Sequence, residues 1–195
     1  MKRIFTSVAA ISLAFAISAP AITISTGVDA FGNLLAPNAL ETLYTAGGIA
    51  TSASVGTGNP GAWVPNTAMA QWIVPNTQNL GISTYTMAVI GAGSISGRFT
   101  SDNPGALFVN GTLITSNPGW ANSTDQGTYR SWYNFSAPLP NAGANTIEWR
   151  VNNLGGPAGL IVEGTATLSA VPDGSTSIAL LGMAFTGLGM LRRKL

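Results

Sequence analysis

The sequence predicts an all-β protein whose central part, residues 22–170, folds as a two-sheet β-sandwich. Three observations predict this fold class. Short segments with β-sheet composition recur along the chain. Gly, Asn and Pro clusters separate these segments as turns would. Helix-favouring Lys and Glu are scarce, since charged residues make up only 8% of the chain. A body of this length is large enough for one domain with a real core.

The first third of the body gives the weakest pattern. We expect a short strand at 42–44 and a loop at 54–61, where the sequence is S-V-G-T-G-N-P-G. Residues 68–74, A-M-A-Q-W-I-V, have strand composition and end at a proline. We expect Trp63 and Trp72 to be packing residues of the core or sheet rather than a ligand platform.

The middle of the body gives the clearest pattern. Residues 82–90 and 95–101 have strand composition and turn residues on both sides. Residues 106–115, A-L-F-V-N-G-T-L-I-T, place Asn110-Gly111 between two apolar runs. A type I′ turn needs positive φ at both central residues, which Asn and Gly tolerate best. This segment therefore predicts a β-hairpin, preceded by a tight turn at 102–105.

Two further strands are expected near the end of the body. Residues 145–151 alternate, so that Ile147, Trp149 and Val151 face one way and the polar residues between them face the other. Residues 160–168 give the last strand. The count of seven or eight short strands is typical of a sandwich.

Composition excludes several classes of function. The chain contains no histidine and no cysteine. A Ser-His-Asp triad, a thiol nucleophile and an ordinary zinc site are therefore excluded. The whole chain has a formal net charge of +1, but residues 22–170 hold six acidic and three basic residues, a net charge of −3. The excess positive charge lies at the two ends, so the body offers no basic patch for nucleic acid.

The N-terminus has the layout of a secretory signal peptide, residues 1–21. Met1-Lys2-Arg3 is a positive n-region, residues 4–18 are an uncharged apolar run, and Ala19-Pro20-Ala21 supplies an A-x-A cleavage pattern. We expect a signal helix that is removed near Ala21. An uncleaved N-terminal anchor is the alternative interpretation.

The C-terminal segment, residues 171–195, has three parts. A short motif comes first, then the uncharged run 177–191, then a basic tail at 192–195 whose cations are Arg192, Arg193 and Lys194. The motif consists of Val171, Pro172, Asp173, Gly174, Ser175 and Thr176. The apolar run predicts a transmembrane helix held by a cytoplasmic basic stop. With Ser175 and Thr176 it has 17 residues, the lower limit for a span. A buried C-terminal helix of the domain is the alternative.

This layout resembles the PEP-CTERM sorting signal, in the variant with Val-Pro-Asp in place of Pro-Glu-Pro. The resemblance implies export, handling by an exosortase, transient residence in the inner membrane and a final place on the cell surface or in the extracellular (biofilm) matrix of a Gram-negative-type bacterium. Cleavage is expected near Pro172-Asp173. The departure from Pro-Glu-Pro leaves open which type of exosortase acts.

The body carries its own resemblance over about residues 27–168. The phrases that carry it are at 63–75, 96–103, 107–112 and 145–160, for example L-F-V-N-G-T and N-T-I-E-W-R-V-N-N-L-G-G-P-A-G-L. They resemble the bodies of PEP-CTERM exported proteins that look like galactose-binding-like jelly rolls of the carbohydrate-binding-module type. The resemblance implies a jelly-roll fold and carries no ligand residues with it.

A non-catalytic, carbohydrate-binding surface protein is the first functional hypothesis, with polysaccharide as the ligand. Aromatic rings stack on sugar faces, and short polar side chains bind the hydroxyl groups. Candidate aromatic residues are Trp120, Tyr129, Trp132 and Tyr133, with Asn122 and Asp125 as polar partners. The competing interpretation makes Trp132 or Phe135 core while the others cap one end of the sandwich.

Other hypotheses stay open from the sequence. The body could be a purely structural matrix or envelope protein that associates with itself. A glycoside hydrolase needs two carboxylates, and Asp102 with Asp125 is the pair near loops, although Asp102 is more simply a turn residue that accepts backbone hydrogen bonds. We expect no cofactor, but a structural Ca²⁺ held by Asp102, Asn103 and Asp125 is an open question.

Overall fold

The computed structural model describes residues 21–48, 53–55, 62–75 and 79–169. These residues belong to one compact unit, Pro20–Ser169. The predicted signal helix and the predicted transmembrane helix at 177–191 lie outside the described residues. Within the described ranges, no helix combines the length and the apolar character needed to cross a membrane.

The described chain is almost entirely β-structure, as predicted. It forms more strands than the seven or eight expected, with a single 3-10 turn at Thr128–Arg130. The strands are β1 (Ala21–Thr23), β2 (Thr45–Gly48), β3 (Ala53–Val55), β4 (Ile73–Pro75), β5 (Gly81–Ile90), β6 (Gly93–Asp102), β7 (Gly105–Val109), β8 (Thr112–Ser116), β9 (Tyr133–Leu139), β10 (Ala144–Asn153) and β11 (Gly159–Leu168).

Two antiparallel sheets make up the sandwich. A six-stranded sheet has the order β3-β4-β11-β6-β9, with β1 also paired to β11, and a five-stranded sheet has the order β2-β5-β10-β7-β8. The last eight strands therefore place β4-β11-β6-β9 in one sheet and β5-β10-β7-β8 in the other. This is the strand order of a jelly roll, in which the chain passes repeatedly between two facing sheets.

The main core lies between the sheets and follows the predicted alternation. On β10, Ile147, Trp149 and Val151 are buried. The Trp149 ring lies 4.7 Å from that of Phe99 on β6 and 5.2 Å from that of Phe135 on β9. These aromatic contacts join the two sheets at the centre of the molecule, so Phe135 is a core residue.

The predicted hairpin is confirmed. β7 and β8 pair across Asn110 and Gly111, whose φ angles are 49° and 78°. The Asn110 side chain accepts a hydrogen bond from the Thr146 N–H at 2.8 Å and donates one to Asn145 Oδ1 at 3.0 Å. Both ends of this amide are thus engaged within the fold, and the hairpin is fixed to β10.

The strand predicted at 68–74 is mostly wrong, because β4 begins only at Ile73. Before it, the Thr67 hydroxyl accepts hydrogen bonds from the N–H groups of Met69 and Ala70, at 3.1 Å and 3.0 Å. These local bonds make a turn and compete with strand pairing. The short strand predicted at 42–44 is likewise displaced, since β2 begins at Thr45.

A second, smaller core covers the outer side of the six-stranded sheet. The rings of Trp63 and Trp72 lie 4.2 Å apart, and both pack with Ile161 of β11. Ile161 points away from the main core because its neighbours Leu160 and Val162 point into it. The two tryptophans are therefore packing residues, as expected.

The sandwich has two distinct ends. At one, here called the terminal end, Ala21 pairs with Thr167 and Leu168 pairs with Gly93. At the other, here called the loop end, β11 begins at Gly159, opposite Asp102. The nine residue steps of β11 span about 30 Å at about 3.3 Å each. The sequence leading into the C-terminal motif therefore leaves the sandwich about 30 Å from the loop end.

Truncating the central aromatic contact tests the core. We expect Phe99→Ala to lower the free energy of unfolding by about 3–5 kcal/mol, because a large buried ring is lost and a cavity remains. The control Ser96→Ala removes an exposed hydroxyl from the same strand and should change stability by less than about 0.5 kcal/mol. Denaturant unfolding measures both. Equal effects would contradict the placement of Phe99 in the core.

Candidate functional site

The loop end of the sandwich carries an open groove. Its volume is about 610 Å³. It lies at the loop end because β8 reaches it at Ser116, which pairs with Ala106 near the start of β7. The lining residues are Ser116, Asn117, Pro118, Gly119, Trp120, Ala121, Asn122 and Tyr133.

Most of this lining comes from residues 117–127, here called the groove loop, which folds back on itself. The Thr124 N–H donates a hydrogen bond to the Gly119 carbonyl at 3.1 Å. Gly119 has a φ of +88°, and a Cβ at this position would lie only 2.0 Å from the Thr124 carbonyl oxygen. Glycine is therefore required for this close approach of the two chain segments.

Asn117 fixes the start of the groove loop to the sandwich. Its side-chain Oδ1 accepts a hydrogen bond from the Gly105 N–H at 2.6 Å, and its Nδ2 donates to Ser101 Oγ at 2.9 Å. The Asn117 N–H also donates to the Gly105 carbonyl at 3.0 Å. Only 2% of the surface of Asn117 is exposed. Its hydrogen bonds link the groove loop to the end of β6 and the start of β7.

The two aromatic residues of the groove are each supported from one side. The half-buried Trp120 ring makes an edge contact with Phe108, at 6.3 Å between centroids. Tyr133, the first residue of β9, is half-buried and packs 6.1 Å from Phe99. Partial burial raises the pKa of Tyr133 above its ordinary value, so its hydroxyl stays protonated at neutral pH and can donate a hydrogen bond.

The structure brings together three of the six predicted binding residues. Trp120, Asn122 and Tyr133 line the groove. Asp125 belongs to the groove loop but is not among the lining residues; its Oδ1 accepts a hydrogen bond from the Gly127 N–H at 2.8 Å.

The other two predicted residues lie elsewhere. Tyr129 and Trp132 pack against the second core. The Arg98 guanidinium lies 4.4 Å above the centroid of the Trp132 ring and pairs with Glu163. This cation–π contact gives Trp132 a packing role.

Sequence reasoning missed several lining residues, namely Ser116, Asn117, Pro118, Gly119 and Ala121. The signal that could have found them is the Asn117-Pro118-Gly119 run, which marks a turn directly after a predicted hairpin.

Asp102 ends β6 at the predicted turn before β7, but its carboxylate accepts hydrogen bonds from side chains where the sequence suggested backbone donors. It is 5% exposed and accepts hydrogen bonds from two side chains, Trp63 Nε1 at 2.7 Å and Asn103 Nδ2 at 2.6 Å. Burial raises the pKa of Asp102 above its ordinary value, the two hydrogen bonds oppose this rise, and the nearby charge of Asp125 adds to it. Since neither carboxylate is among the groove-lining residues, the geometry gives no support to a hydrolytic pair acting in the groove.

The residues considered for calcium are hydrogen-bonded within the fold. Each oxygen of the Asp102 carboxylate already faces an N–H donor. The Asn103 Oδ1 accepts a hydrogen bond from the Leu154 N–H at 2.6 Å. In the part of the chain that the structure describes, no three His, Cys, Asp or Glu side chains are grouped to hold a metal ion.

The raised pKa of Asp102 predicts a pH dependence of stability. A group with a folded pKa above its unfolded value contributes stability that is complete below the unfolded value, here 3.8, and is lost as pH rises through the folded pKa. We therefore expect the free energy of unfolding of Asp102→Asn minus that of wild type to increase as pH rises from about 3.8, because only wild type loses this stability. The pKa of Glu41 is also raised, so the pH dependence of wild type alone would combine both groups. The measurement is therefore urea unfolding of wild type and of Asp102→Asn at several pH values, with one free energy subtracted from the other. A difference that stays constant with pH would contradict the raised pKa.

Three solved structures illustrate the likeness of the chain to known folds. The PA14 sugar-binding domain from an RTX adhesin aligns with 18% identity over 53% of this chain and 59% of its own length, at a TM-score of 0.34. A CBM35 from Paenibacillus barcinonensis aligns with 18% identity over 65% and 94%, at 0.34. The CBM36-1 domain of a multidomain xylanase from the hindgut metagenome of Trinervitermes trinervoides aligns with 14% identity over 66% and 92%, at 0.36.

The fold assignment comes from the strand order of the two sheets. The chain spans about three fifths of the RTX adhesin domain and 11% of a similar β-glucosidase from Kluyveromyces marxianus. No curated protein matches the sequence.

The C-terminal segment matches a known sequence motif. Residues 170–195 match the VPDSG-CTERM motif. In this chain Val171-Pro172-Asp173 is followed by Gly174 and then Ser175, the reverse of the last two letters of the motif name. The chain therefore ends in a PEP-CTERM-like sorting signal of the VPDSG type.

Proposed function

We propose that this protein is exported, sorted to the cell surface or extracellular matrix, and binds carbohydrate without catalysis. The observation that carries the binding role is the groove, where Trp120 and Tyr133 share one open cavity with the exposed polar side chains of Ser116 and Asn122. Aromatic walls with a few placed polar groups are the usual make-up of a small-ligand site.

The chemistry of the lining suits a sugar. The C–H faces of a sugar ring are apolar and pack on aromatic rings, while its hydroxyl groups both donate and accept hydrogen bonds. Asn amides offer a carbonyl acceptor and an NH₂ donor together. Asn122 Oδ1 accepts a hydrogen bond from Thr124 Oγ1 at 2.8 Å, which orients its NH₂ group as a donor.

A non-catalytic role is supported by the side chains present. The chain has no histidine and no cysteine. Of the two carboxylates considered for glycoside hydrolysis, Asp102 is buried and accepts two side-chain hydrogen bonds. Asp125 is engaged with the Gly127 N–H. Binding rather than bond cleavage is therefore the activity we assign to the groove.

Export and sorting are supported by the two ends of the sequence. Residues 1–21 have the layout of a signal peptide, and residues 170–195 match a sorting motif. We propose that an exosortase is the processing partner and that residues 177–191 cross the inner membrane transiently. Because the motif follows the terminal end of the sandwich, an attachment there would leave the groove at the opposite, exposed end.

Removing one ring of the groove tests the binding role. We expect Trp120→Ala to weaken binding to a glycan on an array at least tenfold, about 1.4 kcal/mol, because the stacking surface is lost. The matched control is Phe31→Ala, which removes an aromatic ring that is 90% exposed and not among the groove-lining residues; its binding should equal that of wild type. Wild-type protein without any signal above background would remove the carbohydrate assignment.

Mass spectrometry of the surface protein tests the sorting role. We expect the mature form to lack Leu195 and the rest of the basic tail, because cleavage falls near Pro172-Asp173. Replacing Val171, Pro172 and Asp173 by alanine should leave the tail attached. An intact Leu195 on wild-type protein recovered from the cell surface would contradict processing of the tail.

A further inference from the structure

We propose that the groove selects uncharged glycans and rejects acidic ones, such as polymers of uronic acids. This inference names the ligand class for the binding role proposed above and therefore rests on it. It is carried by where the charges of the body lie, which is independent of the aromatic residues that support sugar binding.

The groove itself offers no charged group to a ligand. None of its eight lining residues is Lys, Arg, Asp or Glu. Recognition of a carboxylate or sulfate usually relies on Arg or Lys, with Arg giving paired hydrogen bonds. The lining instead supplies hydroxyl, amide and aromatic groups, which bind neutral hydroxyls without a cost for burying a charge.

Two of the three arginines of the body are paired with carboxylates. The Arg98 Nη2 lies 3.0 Å from Glu163 Oε2 on the neighbouring strand. Arg150 pairs with Glu148 two residues earlier on β10, and its guanidinium lies 4.1 Å above the Phe108 ring. Neither arginine is therefore available to neutralise an acidic ligand without losing its partner.

Two of the four carboxylates outside these pairs lie at the loop end. Asp102 ends β6 opposite Gly159, and Asp125 lies in the groove loop. The chain near Asp29 lies beside β11 on the side away from β6 and β9, since the Thr26 N–H donates to the Val162 carbonyl. Glu41 accepts the Gly27 N–H at 2.7 Å in the same region.

Arg130 is the remaining cation of the described residues. Its Nη2 donates to the Tyr129 hydroxyl at 3.2 Å, and its guanidinium lies 5.2 Å from the Tyr129 ring centroid. Tyr129 packs against the second core, away from the groove lining. Outside the two arginine–carboxylate pairs the body holds four carboxylates and one arginine, which gives its net charge of −3, and two of these carboxylates, Asp102 and Asp125, lie at the loop end.

We expect a negative potential at the groove, because the body has a net charge of −3, Asp125 lies in the groove loop and the lining holds no cation. A polyanion that approached it would meet like charge without a cation in the lining, and such repulsion lowers both the rate and the affinity of binding. A neutral glycan would meet no penalty. Its binding should also be insensitive to salt, since salt screens only charge–charge interactions.

The test uses the secreted, processed protein and matched polymers. Polygalacturonate and its fully methyl-esterified form share one backbone and differ in charge, and a panel of neutral and acidic polysaccharides is run beside them. Retardation in affinity electrophoresis is measured at about 50 and about 500 mM NaCl. We expect neutral polymers to bind at least tenfold more tightly than acidic ones at low salt, and neutral binding to change less than twofold with salt.

Charge variants of the groove loop sharpen the test. Asp125→Asn keeps an oxygen for the Gly127 N–H, and Asp125→Lys reverses the charge. We expect both to leave neutral binding within twofold of wild type, while Asp125→Lys raises binding to polygalacturonate at low salt. Circular dichroism checks that each variant is folded.

The outcomes separate this inference from the proposed function. Acidic polymers that bind wild type as tightly as neutral ones, in a Trp120-dependent manner, would overturn charge selection and leave carbohydrate binding intact. Binding to neither class would overturn both. An Asp125→Lys variant that gains no affinity for the acidic polymer would show that the potential at the loop end does not set selectivity.

Discussion

The groove depends on a small set of buried hydrogen bonds where β6 passes into β7. Ser101 Oγ donates to the Asn103 carbonyl at 2.7 Å and accepts from Asn117 Nδ2 at 2.9 Å. Buried polar groups of this kind must be paired, because an unpaired one costs about 1–3 kcal/mol. Since Asp102 and Asn103 also bind Trp63 and Leu154, three separate loops are fixed at one end of the sandwich.

Local patterns were enough to predict the central strands but not the loops between them. The alternation of apolar and polar residues around Trp149 is a local pattern, and so is the Asn110-Gly111 turn. Both depend on residues close in sequence, so the strands and the hairpin could be predicted from the sequence. Residues 68–72 have strand composition, yet the Thr67 hydroxyl and the packing of Trp72 hold them in a turn. Trp120 and Trp132 both lie in polar, turn-rich sequence. Only the tertiary fold shows that Trp120 lines the groove and that Trp132 packs beneath the Arg98 guanidinium.

The charged residues of the body are either paired with one another or lie outside such pairs. Arg98 and Arg150 are each paired with a glutamate. Asp102 and Asp125 lie at the loop end outside these pairs, and the lining of the groove is uncharged. The last described residue, Ser169, lies at the terminal end, about 30 Å along β11 from the loop end that carries the groove.

The most direct test of this account is an NMR titration of the processed, ¹⁵N-labelled protein with a neutral oligosaccharide. The account predicts that amide shifts change mainly in the groove loop and at Tyr133, with smaller changes at Gly105 through the Asn117 hydrogen bonds. Changes that concentrate on the outer faces of the sheets or at the terminal end, with the groove loop unaffected, would contradict it.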